Sequence, residues 1–215
     1  NSFFSLERET SNLTIVRTKA FASNRNSFVK KICHYLVFMF SAILNLKRIK
    51  NYDILIISSP PLFTGIIGLY AKIFLKKNFW LDVRDLWPDS ALELGQISNG
   101  FLFKCGKFLE KKIYLNSSGF IFPIPGFRKY LKTFLPEISN KPMITLMNGV
   151  SKNFLNHAAK IDNSDNERFT VLYSGNMGLA QDLSTIIEAA NLLKDHKIDF
   201  SFVGHGVCRE ETKKK

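Results

Sequence analysis

Cysteine, acid and long apolar runs are all scarce in this sequence. The chain of 215 residues has three cysteines, Cys33, Cys105 and Cys208. They are too few and too scattered for a disulfide framework, and none stands at metal-site spacing. They read as ordinary thiols of a reducing compartment. Acidic residues number 18 against 30 Lys and Arg, for a net charge of +12. Such a balance suits nucleic acid, anionic lipid or a phosphorylated substrate. No zinc-finger, helix-turn-helix or single-strand-binding signature is present, which argues against nucleic acid. The most apolar stretch, residues 32–46, would be about 22 Å long as a helix. Spanning a bilayer takes about 30 Å. Low-complexity tracts and internal repeats are absent, and residues 1–11 show no signal-peptide pattern. The chain opens on Asn1 and stops abruptly in Lys213-Lys214-Lys215, so neither end is expected to be a natural terminus.

What is present is an alternation. Short β-branched and aromatic runs lie at 13–16, 54–57, 79–83, 119–122 and 143–146. Longer helical stretches lie at 28–47, 63–75, 100–116 and 127–134. Continuous apolar strands alternating with helices predict an α/β protein with a Rossmann-like, doubly wound parallel sheet. Residues 159–168 are polar and free of aromatics and read as a linker. The βα pattern then restarts with a strand at 169–173, a turn at 175–178, a helix at 183–193 and a strand at 200–203. The expected organisation is an incomplete first domain over 1–158, the linker, and the truncated start of a second Rossmann-like domain over 169–215.

The helix candidate from Phe28 to Lys50 carries Lys30, His34, Ser41, Asn45 and Arg48 on one narrow stripe. The rest of its surface is apolar, and lysines and an arginine flank both ends. Two readings stand: a core helix, or a helix lying on an anionic membrane surface.

In open parallel sheets, ligands bind beyond the carboxyl ends of the strands. Four loops stand there: Ser58-Ser59-Pro60-Pro61, Asp85-Leu86-Trp87-Pro88-Asp89, Pro125-Gly126-Phe127-Arg128 and Asn148-Gly149-Val150. Ser59 could equally cap the following helix, and Asn148-Gly149 could be only a tight turn. The glycines around Asn176 would offer amides ahead of a helix, a natural phosphate site. The strongest local signal is LDVRDLWPDSALELG, with Asp82, Arg84, Asp85, Trp87 and Asp89 at the end of a buried strand. A carboxylate there can orient or deprotonate an acceptor hydroxyl. An indole can line a sugar face, or simply plug the core.

Together with ISSPPLFTG before it and VLYSGNMGLAQDLSTIIEAANLL after it, this run resembles glycosyltransferase family 4. The closest likeness is to the bacterial branch with fucosamine transferases of O-antigen (lipopolysaccharide) and capsule assembly. The resemblance implies two Rossmann-like domains in a GT-B arrangement. It implies a hexosyl-transferring, retaining enzyme with no required metal and no cofactor beyond a nucleotide-sugar donor, UDP-linked. The acceptor would be a lipid-linked saccharide, and the enzyme would sit at the cytoplasmic membrane's inner face. Asp85 matches the family's catalytic Asp, while Arg84 stands where many members have His. The acceptor side would comprise Ser59, Pro60, Asp82, Trp87, Arg128 and Asn148. The donor side would comprise Gly175, Asn176, Gly178, Gln181 and Gly204. Asn176 and Gln181 replace the Arg and Lys that clamp the diphosphate in many members.

Family members are about twice this long. Their glycine-rich first loop would precede Asn1, and their Glu-x7-Glu donor motif would follow Lys215. The chain alone is therefore expected to be inactive. Two other readings remain open. One is a nucleotide-sugar epimerase on the same plan, and the other is a non-catalytic remnant of a decayed gene. A reading frame that continues past Lys215 would separate the enzyme from the remnant.

Overall fold

Four of the apolar runs become parallel strands because a helix carries the chain back across the sheet between each strand and the next. The computed structural model describes residues 4–18, 20, 28–46, 49, 52–158 and 168–213. Two compact units divide the chain, Asn1–Asn148 and Gly149–Lys215.

In the first unit, β3 (Leu55–Ser59), β4 (Phe79–Val83), β5 (Gly119–Phe122) and β6 (Met143–Thr145) form one parallel sheet in sequence order. The crossovers run through α2 (Gly65–Phe74), α4 (Phe101–Asn116) and α5 (Gly126–Phe134), with a short α3 (Asp89–Glu93) after β4. Alternate residues point to opposite faces of a strand. Ile57, Phe79, Leu81, Val83, Phe120 and Phe122 therefore meet Ile113, Leu131 and Ile138 in one core. Tyr114 meets Phe120 edge-on at 5.6 Å, and the Phe120 and Phe122 rings stack at 6.0 Å. Two glycines let α2 come close. A Cβ on Gly68 would lie 2.6 Å from the Phe79 ring, and one on Gly65 would lie 2.5 Å from Ile113.

The expectation of strands buried on both faces is met on one face only. On the other, Ile56 and Ile144 are exposed. Trp80 is half-buried there and spreads over Gly119, where a Cβ would be 2.8 Å from the indole.

Two further expectations change. The strand anticipated at 13–16 does not join the parallel sheet. It lies in β2 (Thr14–Thr18), which pairs antiparallel with β1 (Phe4–Arg8) in a separate ribbon. Helix α1 (Phe28–Leu46) packs against α2, and of its polar stripe Ser41 and Asn45 face inward while Lys30 is exposed. Ser41 and Asn45 are buried beside Met39 and Leu46, and Asn45 Nδ2 donates to the Ser41 carbonyl at 2.9 Å. The Asn45 amide is thus satisfied within the helix, whereas Ser41 Oγ is buried without a hydrogen-bond partner, at a cost of about 1–3 kcal/mol. The outward stripe is apolar instead, with Phe40 60% and Leu44 66% exposed. Lys47, Arg48 and Lys50 of the basic flank lie outside the described residues. Among the described residues, no helix is long and apolar enough to cross a membrane.

The second unit holds α6 (Lys152–Ala158), β7 (Phe169–Asn176), α7 (Leu183–Leu192), β8 (Ile198–His205) and α8 (Arg209–Thr212). β7 and β8 are parallel and longer than expected, pairing Gly175 with Gly204 and Asn176 with His205. Pairing so close requires glycine, since a Cβ on Gly204 would lie 1.9 Å from the Gly175 carbonyl oxygen. Of the anticipated linker, residues 159–167 lie outside the described residues, and Arg168 pairs with Asp199 at 2.9 Å.

Gly68→Val drives a branched side chain into the Phe79 ring and overpacks the core. Thermal or urea unfolding should show a loss of about 1–3 kcal/mol.

Candidate active site

The buried parity of β3 and β4 decides which polar side chains reach the open face. Ile57, Leu81 and Val83 turn under the helices, so Ser58, Asp82 and Arg84 turn the other way. Ser58 stands opposite Asp82 in the register. Its Oγ donates to Asp82 Oδ2 at 2.8 Å. Arg84 Nε donates to the same oxygen at 2.7 Å, and its Nη1 reaches Asn148 Oδ1 at 3.5 Å. The Arg84 amide also donates to the Ser59 carbonyl at 2.8 Å and extends the strand pairing. Asp82 is buried and Arg84 is exposed. A buried carboxylate thus fixes a guanidinium whose remaining N–H groups face outward, beside a carboxamide. That set suits an anionic or polyhydroxyl ligand.

Asp85 is turned into its own loop. Its Oδ1 accepts the Leu86 amide at 2.8 Å, and its Oδ2 accepts Ser90 Oγ at 3.1 Å. A carboxylate has about four acceptor sites, so Asp85 keeps capacity for another donor. Trp87 is half-buried against the core, 6.5 Å from the Phe63 ring. Pro88 is buried over Gly106. Most of the indole therefore serves as a loop plug.

The remaining acceptor-side candidates scatter. Ser59 is buried on the helix-facing side, so its hydroxyl is not offered to the loop. It does not cap the next helix either. Thr64 Oγ1 lies 2.7 Å from the Ser58 and Pro61 carbonyl oxygens in that corner. Pro60 is exposed. Arg128 donates to the Met143 carbonyl and does not join the Asp82 group. Asn148 does join it. Gly149 beside it is not among the glycines with positive φ, which removes the need for a tight turn there.

The donor-side loop is closed on itself. The amides expected to be open are taken: Met177 N–H donates to the His205 carbonyl at 2.8 Å, and Gly178 N–H to Gln181 Oε1 at 3.1 Å. Asn176 Nδ2 donates to that same Gln181 oxygen at 3.3 Å. At the start of α7, Asp182 adopts φ +40 and accepts Thr185 Oγ1 at 3.0 Å. Its carboxylate occupies the positive end of the helix, where a phosphate was expected. The adjoining hollow, about 200 Å³, is also lined by Glu211. A second hollow in this unit, about 500 Å³, is lined by Gly204, His205, Arg209 and Lys213, and both of these cations pair with Glu210, at 3.1 Å and 3.7 Å. Among the described residues, no group of His, Cys, Asp and Glu is arranged to hold a metal ion.

One buried cluster was not anticipated. Asp89 Oδ2 accepts Lys107 Nζ at 2.7 Å and Tyr130 Oη at 2.9 Å. Lys107 Nζ also lies 2.6 Å from Glu110 Oε2 and 3.5 Å from the centre of the Phe134 ring. Glu110 is fully buried, without an aligned hydrogen bond on either oxygen. Its compensation is the close contact with Lys107, supported by the Tyr114 hydroxyl. Burial pushes the Glu110 carboxyl up, and Lys107 opposes that rise. Burial, and then the bond to Asp89, push the Tyr130 hydroxyl up as well. The signal was available. Gly106, Glu110, Ile113 and Tyr114 share the buried face of α4, and an acid on such a face needs a partner.

No family model matches the chain, and no curated protein matches it. Among solved structures, it is similar to the catalytic domain of starch synthase IV from Arabidopsis thaliana bound to ADP and acarbose. Identity is 13% and the TM-score is 0.58, over 87% of this chain and 49% of that one. The chain thus spans about half the length of that catalytic domain. The likeness shows the fold: a Rossmann-like α/β architecture of the GT-B kind.

Lys107→Met leaves Glu110 buried and unpaired, which should lower stability by about 3–5 kcal/mol. The native chain holds the Glu110 proton more tightly than the unfolded chain. This group's contribution therefore falls as pH rises through its folded pKa. Denaturant unfolding of the variant should show its largest deficit at neutral pH and a smaller one in acid.

Proposed function

We propose that the chain is part of a retaining glycosyltransferase resembling family 4. It would move a hexosyl group from a UDP-linked nucleotide sugar to a lipid-linked saccharide, in bacterial O-antigen or capsule assembly. The observation that carries the reading is the chain Ser58–Asp82–Arg84–Asn148 at the carboxyl ends of the strands, in a GT-B fold. A polyhydroxyl acceptor matches its outward donors, and an anionic leaving group matches the Arg84 charge.

In the reaction, the bond from the sugar's anomeric carbon to the donor phosphate breaks, and a bond to the acceptor oxygen forms. The acceptor proton leaves for a base, and the electron pair stays on the phosphate. Asp85 is the candidate base and Arg84 the candidate electrophile, with Asp82 and Ser58 holding Arg84 in place. On the second unit, the hollow with Gly204, His205, Arg209 and Lys213 would take the donor's phosphates, in competition with Glu210 for the two cations. Of the neighbouring loop only Met177 lines it, so Gly175, Asn176, Gly178 and Gln181 would take part only if that loop opened. The enzyme would work peripherally at the inner face of the cytoplasmic membrane.

The test is transfer of radiolabelled sugar from UDP donors to a lipid-linked acceptor, by the whole protein that contains this chain. Arg84→Ala should lower kcat/KM by on the order of a hundredfold. Asp85→Ala should lower kcat by roughly 10²–10⁴. Both variants should keep the wild-type circular dichroism spectrum. Wild-type turnover in Asp85→Ala would remove Asp85 from the site. Epimerised nucleotide sugar released without any acceptor would replace transferase by epimerase.

A further inference from the structure

Helix α4 has two unlike sides. Its inner side takes Pro88 against Gly106 and carries Ile113 and Tyr114 into the core. Its outer side brings Phe101, Cys105, Phe108 and Lys112 to successive turns of one face, beside Lys104 and Lys111. Phe101 is 80% and Phe108 65% exposed. Soluble surfaces seldom place two phenylalanines outward on one helix face without a partner.

The exposed charge on the helices of this layer has one sign. Helix α2 packs against both α1 and α4, so the three share a layer. α1 and α2 contain no acidic residue, and the only one in α4 is the fully buried Glu110. Lys111 is paired with Glu137 at 3.3 Å. Lys104 and Lys112 have no ion pair among the described residues, and Lys112 Nζ stands 5.5 Å from the centre of the Phe108 ring. Aromatic rings that enter the headgroup boundary, flanked by unpaired lysines, match an anionic bilayer surface.

We infer that the outer face of α4 docks this protein on an anionic lipid bilayer. Phe101 and Phe108 enter the interface, and Lys104 and Lys112 engage lipid phosphates. Docking there puts the bilayer on the far side of the helix whose inner side supports the Trp87–Pro88 loop. The inference does not depend on sugar transfer, because a chain that docks and transfers nothing separates the two claims.

Co-sedimentation of the whole chain with phosphatidylcholine vesicles, with and without phosphatidylglycerol, tests it. Pelleting should need the anionic lipid and weaken as salt rises. Lys104→Gln with Lys112→Gln should weaken binding on the order of twentyfold, about fivefold per cation. Phe101→Ser with Phe108→Ser should weaken it by roughly tenfold or more. All four side chains are exposed, so the circular dichroism spectrum should not change. In a Cys33→Ser, Cys208→Ser background, an environment-sensitive fluorophore on Cys105 should shift to the blue with anionic vesicles alone. Binding that survives both double variants with no Cys105 shift would overturn the assignment, and loss only on Phe40→Ser would move docking to α1. Equal binding to neutral vesicles would also overturn it. So would a lipid-free dimer that Phe108→Ser dissociates and that does not bind vesicles.

Discussion

Where α2 crosses the sheet, Gly68 leaves no side chain between the helix backbone and the Phe79 ring, and Gly65 does the same toward Ile113. This close approach seals one face of β3, β4 and β5 with Ile57, Leu81 and Phe120. Interiors packed at crystal-like density do not shift by a residue without losing every contact at once. Side-chain parity then has no freedom left. If Leu81 and Val83 are inside, Asp82 and Arg84 are outside, and Ser58 must meet Asp82 across the strand pair. The polar chain that reaches Asn148 is a consequence of the apolar packing behind it.

A second tie runs from the site loop to the helix layer. Asp89 begins α3 and shares Lys107 with Glu110, deep on α4. Tyr130 of α5 reaches the same Asp89 oxygen. The loop that carries Arg84 and Asp85 is therefore braced from two helices, and Trp87 and Pro88 press on α4 between them. Rigid support of this kind is what a site built on a loop requires. The same helix presents its phenylalanines outward, so α4 joins the candidate site to an exposed apolar face. In the second unit the bracing works against binding. Gln181 and Asp182 satisfy the loop's own donors, so a ligand has to replace internal hydrogen bonds before it gains new ones.

Much of this was legible in the residue pattern. The runs around Ile57, Leu81, Phe120 and Ile144 read as strands from their β-branched and aromatic content, and the site loops were found by looking beyond their ends. Other features were not legible, for particular reasons. Ser59 and Ser58 are the same residue type one position apart, and only the burial parity of β3 says which one faces the site. The stripe through Ser41 and Asn45 showed that α1 is two-sided, but which side faces protein depends on what covers it. Gly175 to Gly178 read as an open turn, because the pairing of β7 with β8 through His205 joins residues far apart in the chain.

The sequence by itself determined the alternation of strands and helices, the Rossmann-like class, and the clustering of Asp82, Arg84 and Asp85 at a strand end. These follow from local periodicity and from the order of residues along the chain. Only the tertiary structure decided that Arg84 is held by Asp82 and meets Asn148, that Glu110 is buried on Lys107, and that Phe101 and Phe108 stand outward. Each of those depends on a partner supplied by another element, and distance along the chain carries no information about distance in space.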